Sequence, residues 1–213
     1  MINNYAWTST VTGATAGLTL IAASPAVEAN PIADIHGTAP IAAEPRDRVR
    51  AAMANSSGRF PSEAFDLYRI GGSRSQSLHD LAIAVAVHEL ATTPDWTRLL
   101  DHIVFFAALS LDGTLRPGPP EVITTAVRAA ANTRFRYAVV AASDDDRYLD
   151  TVDGITIITA ATLGKVLDWL ALLNTSEPGP IPTPRRTAEQ PTPKTRSTTL
   201  GQHVEALRTD RLL

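Results

Sequence analysis

Ser77, His79 and Asp80 lie within four residues of one another and supply the three side-chain types of a nucleophilic triad. A serine hydroxyl is a weak nucleophile unless a base within hydrogen-bond reach takes its proton. Adjacent residues at a helix start do not face each other, so this spacing alone does not assemble a triad. The structural alternative is that Ser77 caps a helix and leaves His79 and Asp80 in its first turn. Arg46, Arg48 and Arg50 surround Asp47 on another predicted helix. They form either a solvated face or a docking surface for an acidic partner or nucleic acid phosphates. Near the carboxyl end, Arg185, Arg186, Lys194 and Arg196 have no interleaved aromatics. That pattern suits weak, salt-sensitive contact with nucleic acid and is a poor basis for specific binding.

His36, His79, His88, His102 and His203 show no ligand spacing, so no metal site and no cofactor is assigned. Asp144, Asp145 and Asp146 follow Ser143 as the acidic first turn of a short helix, a better account than a magnesium site. The absence of cysteine excludes disulfides and thiolate metal sites and fits a reducing, cytoplasmic setting. A net charge of -3 over 213 residues gives no global attraction to nucleic acid or an anionic membrane. Residues 16–29 have the apolar core and small-residue end of a secretory signal, but no Lys or Arg precedes them, and they read equally well as a strand. No apolar run reaches the ~20 residues that span a bilayer. The expectation is a soluble protein.

The elements that position these residues follow from periodicity. Strands are predicted at Tyr5 to Thr12, Leu18 to Ala23, Ile32 to Ile35 and Phe65 to Ile70. Helices are predicted from Glu44 to Met53 and from Leu78 to Leu90, the second so apolar that it must be covered on more than one side. Phe105 to Leu109 reads as a buried strand running into an Asp112-Gly113 turn, with Leu115 resuming the apolar pattern. A helix from Glu121 to Asn132, a strand from Tyr137 to Ala142, a strand from Gly154 to Thr159 and a helix from Ala161 to Leu173 complete the series. This alternation beyond residue 100 predicts parallel strands joined by right-handed crossovers. With 44% hydrophobic residues the chain can bury a sizeable core.

Three ordered segments carry a family resemblance: Pro45 to Ala52 followed by Asn55-Ser56, then Asp80 to Val85, then Ala107 to Pro117. Together they resemble the N-terminal domain of the magnesium-chelatase-like, competence-type helicase family of AAA+ ATPases, which shares the fold of the Lon protease proteolytic domain. The resemblance covers about residues 5–173. It implies an α/β fold, a Lon-protease-domain-like (ribosomal-protein-like βαβ) mixed sheet with packed helices. By the same resemblance the Lon-type serine falls near Leu78 and its lysine near Glu121, so neither matches. The family's acidic, proline-rich loop before the buried helix is replaced by Gly71 to Ser77. Family members continue into an ATPase module, but no Gly-x-x-x-x-Gly-Lys-Ser/Thr loop occurs here; Gly164-Lys165 is followed by Val166.

The expected organisation is a domain over residues 1–173, a Pro-rich disordered linker over 174–199 and a short helix over 200–213. The expected function is a non-catalytic interaction module that assembles with a separate AAA+ ATPase or with itself. Two alternatives stand beside it: a peptidase-like hydrolase using Ser77, and a DNA-associated accessory protein using the basic tail.

Overall fold

The computed structural model describes residues 4–26, 37–56, 59–72, 77–92, 96–143, 149, 152–175 and 198–199. Strand β1 (Asn4–Thr12) turns at Gly13, whose φ of 59° favours glycine, into β2 (Thr15–Pro25). After β3 (Thr38–Pro40) and α1 (Ala43–Ala54) come β4 (Phe65–Ile70), a 3-10 turn at Ser77–His79, α2 (Asp80–Thr92) and the single turn α3 (Thr97–Leu100). The second half holds β5 (Ile103–Phe106), the hairpin β6 (Ala108–Leu109) and β7 (Leu115–Arg116), and α4 (Pro120–Ala131). It closes with β8 (Tyr137–Ala141), β9 (Thr156–Ala160), α5 (Leu163–Thr175) and β10 (Thr198–Thr199).

Among the described residues, eight strands form one mixed sheet in the order β10-β9-β8-β5-β1-β2-β4-β3. The strands β1, β5, β8, β9 and β10 run parallel, whereas β2, β4 and β3 pair antiparallel. Alternation along each strand divides the core between two faces. Ala6, Ile21, Ile103, Phe105, Val139 and Ile158 meet α1, α2 and α5 on one face. Val104, Phe106, Ala138, Val140 and Ile157 meet Ile123, Ala126, Val127 and Ala130 of α4 on the other.

Residues 81–87 of α2 are all inaccessible to solvent, because α2 lies between the sheet and α1. That placement accounts for its near-continuous apolar sequence. The predicted Phe105–Leu109 strand is broken at Ala107. The Ala107 N–H donates to Leu78 O (3.2 Å) and its carbonyl accepts from Leu81 N–H (3.1 Å), so this residue ties the sheet to α2. The predicted strand at residues 32–35, the short helix after Ser143 and the helix over 200–213 lie outside the described residues. Thr198–Thr199, placed by the sequence in the linker, instead pair in parallel with Ile158 and Thr159, where β9 presents an open edge.

Candidate functional site

The α1 helix carries its three arginines in two directions, because residues four apart share a helix face and the residue between them does not. Arg46 stands with its guanidinium carbon 5.2 Å from the Phe65 ring centroid and donates to Phe65 O at 3.0 Å. Arg50 lies 5.2 Å above the Phe60 ring. The two phenylalanines meet edge to face at 5.2 Å. With Asp47, Pro61 and Glu63 these residues line a surface depression of about 480 Å3.

Arg48 turns inward. Its Nε donates to Asp80 Oδ2 at 2.7 Å and its Nη2 to Asp80 Oδ1 at 3.0 Å, a bidentate pair. Its Nη1 donates to Glu44 at 2.7 Å, one helical turn back. Asp80 opens α2 with no accessible surface, and its Oδ2 also accepts the Leu109 N–H at 3.1 Å. One carboxylate therefore joins α1, α2 and β6. Burial pushes the Asp80 carboxyl up, against the opposing pull of Arg48 and the Leu109 amide.

His79 points elsewhere. Its Nε2 meets the Ser9 carbonyl at 3.1 Å, and since a carbonyl only accepts, Nε2 carries the hydrogen. Burial lowers its pKa to about 4, which leaves the ring neutral at pH 7. His79 and Asp80 thus have different partners, on β1 for the first and on α1 and β6 for the second. The Ser77 backbone belongs to the 3-10 turn; its side chain lies outside the described residues, as do Arg185, Arg186, Lys194 and Arg196. Among the described residues no group of three His, Asp or Glu side chains is placed to hold a metal ion.

A cleft of about 630 Å3 opens beyond the carboxyl end of β5, between the starts of α2 and α4. Leu78, Leu109 and Val122 give it apolar walls, and Arg48 and Arg116 face it with charge. This is the region to which the Lon resemblance assigns a serine and a lysine. Leu78 is buried there, Glu121 is exposed on the first turn of α4, and Val122 lines the wall. Gly164 and Lys165 fall in the first turn of α5, where Thr162 Oγ1 accepts the Lys165 N–H at 3.4 Å.

The β6–β7 hairpin forms one rim of the cleft. Asp112 Oδ1 accepts the Thr114 N–H at 2.9 Å, and Gly113 takes a φ of 85°. The turn is anchored on two helices: Asn55 Nδ2 donates to Leu111 O at 2.9 Å, and Leu163 N–H donates to Gly113 O at 2.9 Å. Leu111, at the tip, is 60% exposed. A further polar cluster was not legible beforehand. Glu89, almost fully buried on α2, accepts the Tyr5 N–H at 3.1 Å, and the Tyr5 hydroxyl donates to Asp101 at 3.0 Å. Burial and Asp101 together raise the Tyr5 phenol.

Residues 26–144, more than half the chain, match the family described as subunit ChlI of Mg-chelatase. Three mycobacterial relatives share 34% identity over 129 residues, which is 60% of this chain and 25% of their own length. They are the uncharacterised proteins Mb2921c of Mycobacterium bovis and MT2965 and Rv2897c of two Mycobacterium tuberculosis strains. The aligned part of this chain thus spans about a quarter of the curated relatives it matches.

Proposed function

This chain belongs to the family of the magnesium-chelatase subunit ChlI, and on that premise we propose that it is a non-catalytic interaction module. It assembles with a separate AAA+ ATPase or with a second copy of itself, in the cytoplasm, as a relative of the domain that precedes the ATPase in magnesium-chelatase-like proteins. The observation that carries this reading is the outward face of α1, where Arg46 and Arg50 are laid over Phe65 and Phe60. Arginine and aromatic side chains held in place beside a depression are the composition of binding hot spots, because little conformational entropy remains to be lost on docking. Acidic or carbonyl-rich surface on the partner would complement the two guanidinium groups.

The test is co-purification of the full chain with an AAA+ ATPase of the same family, together with its mass in solution by light scattering. Wild type is expected to form a complex with the ATPase or with itself. Arg50→Glu is expected to weaken it about tenfold or more while leaving the melting temperature within a few degrees. A strictly monomeric chain that retains no ATPase would count against the proposal, and so would an Arg50→Glu variant that assembles normally.

The peptidase-like alternative has less support, since His79 is engaged with Ser9 and Asp80 with Arg48 and Leu109. Labelling by a fluorophosphonate probe that disappears in Ser77→Ala would revive it. The DNA-associated alternative depends on the tail cations and would require that removing residues 175–213 lowers DNA affinity.

A further inference from the structure

The cleft beyond β5 lies apart from the Arg46–Arg50 face and plays no part in the function proposed above. Its volume of about 630 Å3 falls within the range of small-molecule sites. Its position does as well, since ligands of open α/β sheets collect outside the carboxyl ends of parallel strands. The rim is rigid. Pro117 and Pro119 fix their φ angles, and a Cβ added at Gly118 would stand 2.8 Å from Leu78 Cδ2, so this segment sits directly on the 3-10 turn.

The charge in the cleft points to one kind of ligand. A guanidinium has five N–H donors, and Arg48 commits three of them to Asp80 and Glu44. Its remaining donors are held in place by the buried carboxylate, and its charge is already offset by Asp80 and Glu44 together. Arg116 is exposed on β7, and its guanidinium has no hydrogen-bond or ion-pair partner among the described residues. The cleft therefore offers two sets of guanidinium donors but only one guanidinium, that of Arg116, whose positive charge is not already paired with a carboxylate. A monoanion matches that balance. A phosphate dianion would bring a second negative charge toward Asp80 with nothing to neutralise it. Val11, Leu78 and Val122 supply apolar contact beside the charge.

We infer that this cleft binds a carboxylate carried on a small apolar body, with Arg116 and the free N–H groups of Arg48 holding the carboxylate and Val11, Leu78 and Val122 holding the body. Such a group comes either from a free organic acid or from the C-terminus of a peptide.

Titrating the full chain with N-acetyl-leucine, followed by amide NMR, tests the site. Saturable shifts are expected at Leu78, Leu109 and Val122 below about 10 mM. N-acetyl-leucinamide, which has the same body without the charge, should bind about tenfold more weakly or worse, as should N-acetyl-leucine to Arg116→Gln. Because Arg116 is exposed, that variant should retain the wild-type spectrum outside the cleft. Octanoate and the peptide N-acetyl-Ala-Ala-Leu then separate the sources: tighter binding of octanoate assigns a free acid, and tighter binding of the peptide assigns a chain terminus. No saturable shift with any of the three acids overturns the inference. Equal binding of the amide overturns it too, as does an Arg116→Gln variant that binds like wild type.

Discussion

Replacing Arg48 by methionine isolates the role of the Arg48–Asp80 pair, because methionine keeps most of the stem volume and removes every donor. Asp80 would retain one hydrogen bond, from the Leu109 amide, in a site with no accessible surface. Breaking a buried pair from one side costs about 3–5 kcal/mol, since the remaining charge has neither water nor partner. Asp80→Asn is the milder change. The amide oxygen can still accept from Leu109, and Arg48, whose side chain is 24% exposed, keeps Glu44 and solvent. A loss of about 1.5–3 kcal/mol is expected there, on the scale of charged hydrogen bonds. Arg48→Met should therefore be the more damaging of the two. The pH dependence adds a second signature. Burial already raises the Asp80 carboxyl, and removing Arg48 raises it further. A carboxyl with its folded pKa above its unfolded one binds protons more readily when folded, so it favours folding at low pH and loses that contribution as pH rises through the folded pKa. The gap between Arg48→Met and wild type should therefore narrow from pH 7 to pH 5. Urea unfolding at both pH values, with constant m, measures it. The double variant Arg48→Met/Asp80→Leu should recover part of the loss, as apolar replacements of buried pairs do. An Arg48→Met loss below about 1 kcal/mol, or a larger loss in Asp80→Asn, would refute the interlock of α1, α2 and β6.

Other expectations follow from single sites. His79, with its pKa lowered from 6.5 to about 4, stays neutral when folded while the unfolded chain takes up a proton below 6.5. Stability should accordingly fall by about 2 kcal/mol between pH 7 and pH 5 on this account, and His79→Gln should lack that part of the slope in urea titrations while still donating to Ser9. An identical slope in the variant would place the pH dependence elsewhere. Gly113→Ala should lower stability by about 1–3 kcal/mol, because φ is 85° and the new Cβ would collide with Ser56 Oγ. Adding Ser56→Gly should relieve the clash with the serine and leave the backbone part together with the 3.2 Å approach to the Ala52 carbonyl, and thermal unfolding of both variants separates the two.

The features legible in the sequence were those set by neighbours along the chain. Alternation in Phe65–Ile70 gave that strand its observed limits, and the unbroken apolar run of α2 required cover on two sides, which the sheet and α1 provide. Helical geometry also held a signal about the arginines. Arg46 and Arg50 lie four residues apart and share a face, whereas Arg48, two residues from each, must point away. Its destination was not legible, because Asp80 is separated from it by a strand and two loops and only the fold sets them 2.7 Å apart. The same limit explains Ala107. Nothing in Phe-Phe-Ala-Ala-Leu marks the residue at which the strand must break; the break comes from the Leu78 carbonyl and the Leu81 amide, which take its backbone groups. The cleft is the extreme case, assembled from β1, α1, the 3-10 turn, β6, β7 and α4 with no local motif. Ser77, His79 and Asp80 are three triad residue types whose spacing cannot assemble a triad, and burial commits His79 and Asp80 to separate, distant partners. For a chain of this kind, a carboxylate or imidazole at the start of an all-apolar helix is better read first as a group seeking a remote partner, since an inaccessible charge without one would destabilise the fold more than a lost catalytic group would.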